Sequence, residues 1–94
     1  MTRLSDDQIG TELANLGGWA HEGDEIVRTY ELETFPAAIE FVNGIARLAE
    51  AANHHPDLDI RYRKVRVALT THDEGGITEK DVALAQQIDG LLPA

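Results

Sequence analysis

Apolar residues recur along this chain with two periods, and the switches between them divide it into alternating helices and strands. Ile9, Leu13 and Leu16 stand at helical spacing. Ser5 precedes them with Gln8 three residues on, which has the form of a capping box, and Leu4 is placed to staple onto Ile9. Gly17-Gly18 then tolerates the positive φ that ends such a run. Alternation takes over from there. Trp19 to Glu22 reads as a short strand, Gly23-Asp24 as a tight turn and Glu25 to Leu32 as the partner strand, with Ile26, Tyr30 and Leu32 on one parity and Arg28 interrupting it.

The helical period returns from Phe35 to Ala52, where Thr34 is placed to cap and Pro36 suits a first turn. The apolar stripe is Phe35, Ala38, Ile39, Val42, Ile45, Ala46 and Ala49. Gly44 inside it costs roughly 1 kcal/mol relative to alanine, which points to close packing against a neighbour or to simple tolerance. Beyond Pro56, Leu58, Ile60 and Tyr62 alternate with polar residues, and Val65, Val67 and Leu69 do so on the opposite parity. The parity change predicts a turn near Arg63-Lys64. Thr71 to Gly76 is loop by composition, and Thr78-Glu79-Lys80-Asp81 opens a third helix with a threonine cap, early acids and an apolar face of Val82, Ala85, Ile88 and Leu92. The order helix, strand, strand, helix, strand, strand, helix predicts one α+β domain over residues 1–94, a four-stranded antiparallel sheet with three helices on one face.

Composition narrows the classes of function. No apolar run approaches 18 residues, so no membrane span is expected, and Met1 to Gly10 is too polar and acidic for a secretory leader. The chain has no cysteine for a disulfide or thiolate framework, which fits a cytoplasmic protein. A net charge of -9 repels phosphate backbones and argues against direct nucleic-acid binding. Arg61, Arg63, Lys64 and Arg66 nevertheless cluster, as the solvated face of a hairpin or, in the sharper reading, as a contact for an anionic ligand.

The candidate chemistry centres on Glu50-Ala51-Ala52-Asn53-His54-His55-Pro56. Glu50 lies four residues before His54, so a helix running that far sets the carboxylate on the same face, one turn behind the imidazole. Pro56 makes His55 extended and stops the helix. Adjacent imidazoles backed by a carboxylate suit proton transfer or metal binding, with core packing as the plainer alternative. Trp19, Tyr62, His72 and Asp81 are further candidates, although each alone reads as a core aromatic, an exposed strand-end histidine or a first-turn acid, and His21 as a solvated strand residue. Histidine titrates near neutrality without perturbation, as proton transfer requires. Zinc is satisfied by ligand count, yet two histidines in direct succession rarely present both rings to one ion.

The spacing Glu50, His54-His55-Pro56, Tyr62, His72, Asp81 resembles the signature of the pterin-4a-carbinolamine dehydratases. The resemblance spans nearly the whole chain. It includes Gly18-Trp19, Lys64-Val65, Leu69 to His72 and the helix opening Gly76-Ile77-Thr78-Glu79-Lys80-Asp81. It implies the fold above and dehydration of 4a-hydroxytetrahydrobiopterin, or a related 4a-hydroxytetrahydropterin, to quinonoid dihydropterin, which recycles tetrahydrobiopterin without metal or organic cofactor. Carried over by position, His54 and His72 become the general acid and base, His55 binds and orients substrate, and Glu50 and Asp81 hold or polarise the imidazoles. Trp19 forms a pocket wall, and Tyr62 and Pro56 join the substrate-binding side. The chain departs from the pattern at Asp57-Leu58-Asp59-Ile60, where many relatives carry an aromatic residue. Some relatives instead act as partner proteins, for a transcription-factor dimer or for carboxylase assembly, and these can lose the histidines that this chain keeps. Exposed sheet edges and helix surface such as Leu84 and Leu91 lead us to expect a homodimer, or a homotetramer as in some relatives, with sheets joined edge to edge.

Overall fold

Capping chemistry sets where each α-helix begins. In the computed structural model, which describes residues 2–92, Ser5 Oγ accepts from the Gln8 N–H at 3.1 Å while the Gln8 side chain accepts from the Ser5 N–H at 2.8 Å, opening α1 (Asp6–Leu16). Thr34 Oγ1 accepts from the Ala37 N–H and opens α2 (Phe35–Ala52). Thr78 and Asp81 form the reciprocal box of α3 (Glu79–Asp89). Between the helices run β1 (Ala20–Glu22), β2 (Glu25–Glu31), β3 (Asp57–Arg61) and β4 (Lys64–Leu69), with a short 3-10 turn over His72–Glu74.

The four strands form one antiparallel sheet in the order β1-β2-β4-β3, so the two central strands come from different hairpins. Register places Ile26 opposite Leu69 and Tyr30 opposite Val65, all buried against the helices. Phe41 of α2 meets the Tyr30 ring at 4.7 Å, and Ile45, Leu84, Ala85 and Ile88 continue the same core. The opposite parity carries much of the charge. There Arg61 pairs with Asp59 at 3.2 Å, Arg66 with Glu22 at 3.2 Å and Lys64 with Glu31 at 3.7 Å, so the basic cluster is matched by acids. Arg63 also reaches Glu31, at 3.8 Å, and donates to the Leu32 carbonyl at 2.9 Å. No helix among the described residues is long and apolar enough to cross a membrane.

The element order agrees with the sequence expectation, and four details correct it. The β3–β4 turn is Tyr62-Arg63, one residue earlier than the parity change suggested, because Arg61 already pairs with Lys64 and Tyr62 takes the left-handed conformation at φ 54°. Phe35 and Ala46 are exposed, whereas Phe41 and Gly44 are buried. The buried arc of α2 is therefore rotated from the expected stripe, and a Cβ on Gly44 would stand 3.0 Å from the tip of the Leu91 side chain, a close approach that alanine could enter only if Leu91 gave way. Leu84 is buried because α3 packs against both α1 and α2; Leu91 is exposed, as expected. Finally, every residue of β3 is exposed, including Leu58 and Ile60, since the helices cover the centre of the sheet and stop short of this edge.

Candidate functional site

The corner after α2 is built by a non-glycine residue in the left-handed conformation. Asn53 caps the helix at φ 50° and ψ 44°, a region where asparagine is tolerated better than most residues. The His54 N–H then reaches back to the Ala49 carbonyl at 3.0 Å, the six-to-one bond of a Schellman motif. The backbone of His54 is thereby fixed before its side chain makes any contact. Reversal at Asn53 also removes His54 from the face of α2, which corrects the expectation that Glu50 stands behind it. Glu50 instead pairs with His55, Oε1 to Nε2 at 2.6 Å, in an exposed contact.

His54 turns inward and finds Asp81. Its Nε2 lies 2.5 Å from Asp81 Oδ1, with the imidazole 10% and the carboxylate 0% exposed. Oδ2 of the same carboxylate accepts from the Thr78 N–H at 2.9 Å and from Thr71 Oγ1 at 2.8 Å. Thr71 Oγ1 and Thr78 Oγ1 are themselves 2.9 Å apart. The helix-capping acid of α3 is thus also the acceptor for a histidine from the far end of α2. Burial of such a group without partners is costly, and here both of its oxygens are satisfied.

His72 enters from a third element. β4 ends at Leu69, and Thr71 bridges to Gly76 with its N–H donating to the Gly76 carbonyl at 2.9 Å. His72 opens the 3-10 turn that this bridge encloses, past the strand end where the sequence had put it, and is exposed. It directly follows Thr71, and so begins one residue from the Asp81 network. His54 and His55 come from the end of α2, and Pro56, partly buried, leads on to β3.

Two of the sequence-predicted residues lie elsewhere. Tyr62 sits at the far tip of the β3–β4 hairpin, 72% exposed, about 20 Å of strand away from His55. Trp19 is buried at the other end of α3, where its Nε1–H donates to the Asp89 carboxylate at 3.1 Å. Asp89 also accepts from Tyr30 at 2.5 Å and from Arg28 at 3.0 Å, and Arg28 lies over the Tyr30 ring at 4.6 Å. Burial, followed by the hydrogen bond to Asp89 and its charge, holds the Tyr30 hydroxyl well above the ordinary tyrosine range, with Arg28 acting the other way.

Thr71 and Asp89 were not singled out from sequence. An acid in the last turn of a helix opposes its dipole, and this conflict was the available signal for Asp89. A threonine after a strand carries no comparable mark. Two surface hollows of about 490 and 530 Å³ lie at the start of α1 and beside Leu91; neither is lined by His54, His55 or His72. The candidate site lies at the clustered histidines, since the first hollow holds a single histidine, His21, and the second holds none. Among the described residues, no group of three or more histidine, aspartate or glutamate side chains is arranged to hold a metal ion.

The profile of the family described as pterin 4 alpha carbinolamine dehydratase matches residues 2–91. A relative from Chloroflexus aurantiacus with the provisional name pterin-4-alpha-carbinolamine dehydratase is 60% identical over 92 residues, covering 98% of this chain and 99% of its own. A relative from Nocardia farcinica with the same provisional name is 54% identical over 88 residues, covering 94% of this chain and 93% of its own. Among solved structures, a transcriptional coactivator/pterin dehydratase from Brucella melitensis superposes with a TM-score of 0.92 at 32% identity, over 95% of this chain and 97% of that one. A pterin dehydratase-like RuBisCO assembly factor of the alpha-carboxysome reaches a TM-score of 0.65 at 18% identity, over 78% of this chain and 84% of that one, and at this identity shares the fold alone.

Proposed function

Because this chain belongs to the pterin-4-alpha-carbinolamine dehydratase family, we propose that it removes water from 4a-hydroxytetrahydrobiopterin, or a related 4a-hydroxytetrahydropterin, by histidine acid-base catalysis, and so serves tetrahydrobiopterin recycling. In this reaction the C4a–O bond breaks as its oxygen takes a proton. N5 loses its proton, and the N–H electron pair becomes the C4a=N5 double bond of the quinonoid product. One proton is given and one is taken, so the step balances with an imidazolium and a neutral imidazole and calls for no oxidant, metal or organic cofactor. Such help contributes about 10² to 10⁴ in rate.

We assign the two proton transfers to His54 and His72, which enter from different elements, and orientation of the pterin to His55, whose imidazole is braced by Glu50. The observation that carries the reading is His54, nearly buried and held through Nε2 by a fully buried carboxylate. That arrangement leaves Nδ1 as the atom for exchange with substrate. The rate of dehydration of a freshly generated 4a-hydroxytetrahydropterin, measured against a buffer blank, tests the proposal, and equal rates would overturn it. Activity lost on chelation and restored by zinc would overturn its metal-free form.

A second copy of the chain is the partner we propose for β3. This strand is an edge with unpaired backbone groups, and its exposed Leu58 and Ile60 are 37% and 40% accessible. Antiparallel pairing centred on Asp59 would set Asp57 against Arg61 of the partner subunit, joining opposite charges on either side of two central Asp59 carboxylates, each already paired with the Arg61 of its own chain. A homodimer mass by light scattering at micromolar protein is expected, and a monomer mass would count against it.

A further inference from the structure

Thr71 has a side chain on the carboxylate that holds one candidate proton-transfer group, His54, and a backbone that leads directly into the other, His72. Its hydroxyl lies 2.8 Å from Asp81 Oδ2 and 2.9 Å from Thr78 Oγ1, while its carbonyl accepts from the Glu74 N–H at 3.1 Å to close the turn that begins at His72. Thr71 is buried and Thr78 is fully buried. A hydroxyl owns one proton, so the direction of this chain of bonds can be worked out. Thr78 Oγ1 accepts from the Lys80 N–H at 3.2 Å and is free to donate to Thr71 Oγ1. Thr71 then spends its own proton on Asp81 Oδ2, beside the Thr78 N–H that points at the same oxygen.

Asp81 is left surrounded by donors. Oδ2 already accepts from Thr71 and from the Thr78 backbone, which leaves Oδ1 as the acceptor that the carboxylate form offers to His54. With Asp81 as the carboxylate, Nε2 of His54 is the atom that carries the hydrogen.

We infer that Thr71 is a positioning residue of the acid-base site: oriented by Thr78, it clamps Asp81 so that His54 is held as the Nε2–H tautomer with Nδ1 presented for proton exchange, while its backbone ties that imidazole to the turn bearing His72. This rests on the dehydratase reading for its catalytic consequence, whereas the tautomer rests on the carboxylate form of Asp81 and the two hydrogen bonds that occupy its Oδ2. Thr71 touches no reacting atom. Its loss would let Asp81 turn and let the neutral imidazole redistribute between its two tautomers, only one of which presents a basic Nδ1.

The test combines spectroscopy and kinetics on the full chain. Long-range ¹H–¹⁵N correlation spectra of the wild type, recorded where His54 is neutral and assigned with a His54→Ala sample, should show the Nε2–H form. Thr71→Val keeps the shape and deletes the hydroxyl. It should give mixed tautomers and a turnover number about ten-fold lower with KM within about two-fold, the split expected of a group that acts through another. Thr71→Ser should restore both readouts.

A wild-type Nδ1–H tautomer would overturn the inference without any variant, which keeps it testable should Thr71→Val fail to fold. A valine variant with unchanged tautomer and turnover would also overturn it, as would a serine variant as impaired as the valine. A wild type no faster than buffer removes the dehydratase reading instead, and the tautomer spectra still decide the role of Thr71.

Discussion

The two ends of α3 each carry an aspartate ringed by donors, and they do different work. Asp81, in the first turn, gathers a threonine hydroxyl, a backbone N–H and the imidazole of His54. Asp89, in the last turn and about 12 Å along the axis, gathers a phenol and a guanidinium from β2 and an indole from the residue before β1. Trp19, Tyr30 and Arg28 keep their protons throughout the neutral range. Imidazole is the side chain whose chemistry allows proton exchange in that range. A buried or half-buried carboxylate network becomes a candidate for chemistry when one donor can titrate and present a second atom outward, and otherwise it is a clamp that fastens a helix to a sheet.

The largest expected effect tests the titrating end. His54→Ala and His72→Ala should each lower turnover by about 10² to 10⁴, while His55→Ala should chiefly raise KM. The double change at 54 and 72 should cost less than the product of the single effects, because losing either partner already disables a concerted step. Full multiplicativity in steady-state kinetics would break that assignment.

Exchanging the two aspartates should separate catalysis from stability. Asp81→Asn presents an N–H₂ group to groups that are already donors and should reduce turnover by about 10 to 100-fold. Asp89→Ala strands the donors of the clamp and should cost about 2–3 kcal/mol in denaturant melts, with turnover of the folded protein within about two-fold. A turnover defect at Asp89 as deep as that at Asp81 would abolish the contrast.

Tyr30→Phe should cost about 1–2 kcal/mol at neutral pH. Because the folded-state pKa of Tyr30 is raised, this stabilisation is fully present below the unfolded value near 10. Above that pH the unfolded chain ionises Tyr30 while the folded chain retains the proton, so the advantage over phenylalanine should shrink as pH rises. Urea melts at neutral and alkaline pH would detect it. Smallest of all, Trp19→Phe keeps an aromatic ring in the core and loses the N–H; it should cost about 1 kcal/mol and leave KM within about two-fold. A five-fold or greater rise in KM, on the scale of an ordinary binding contact, would restore Trp19 to the substrate side.

Local chemistry made much of the fold legible. Ser5, Thr34 and Thr78 announced their helices because an N-cap is a short-range bond, complete within a few residues. The alternation of Val65, Val67 and Leu69 identified a strand for the same reason, although not its central place in the sheet. Features that depended on a reversal of the backbone were harder. Tyr62 and Asn53 both adopt positive φ, and neither is glycine. The first shifted a turn by one residue, and the second changed the partner of Glu50 from His54 to His55. In the candidate site, histidine and acid identities could be read off the chain. Pairing could not, since His54 and Asp81 meet through tertiary packing of α2 on α3.

The reciprocal cap of α3 has a consequence for how the protein ages under stress. The bond from the Thr78 N–H to Asp81 is the same event that seats the acceptor of His54, so helix initiation and assembly of the acid-base pair cannot occur separately. First turns are where helices fray, but this one is buried, with Ile77, Thr78 and Asp81 at most 1% exposed, so opening it disrupts core packing and belongs among the costly openings. Release of His54 and loss of the fold should therefore coincide. Thermal inactivation should track the calorimetric transition, with strong protection from hydrogen exchange at the Thr78 amide, and inactivation well ahead of melting would count against this coupling.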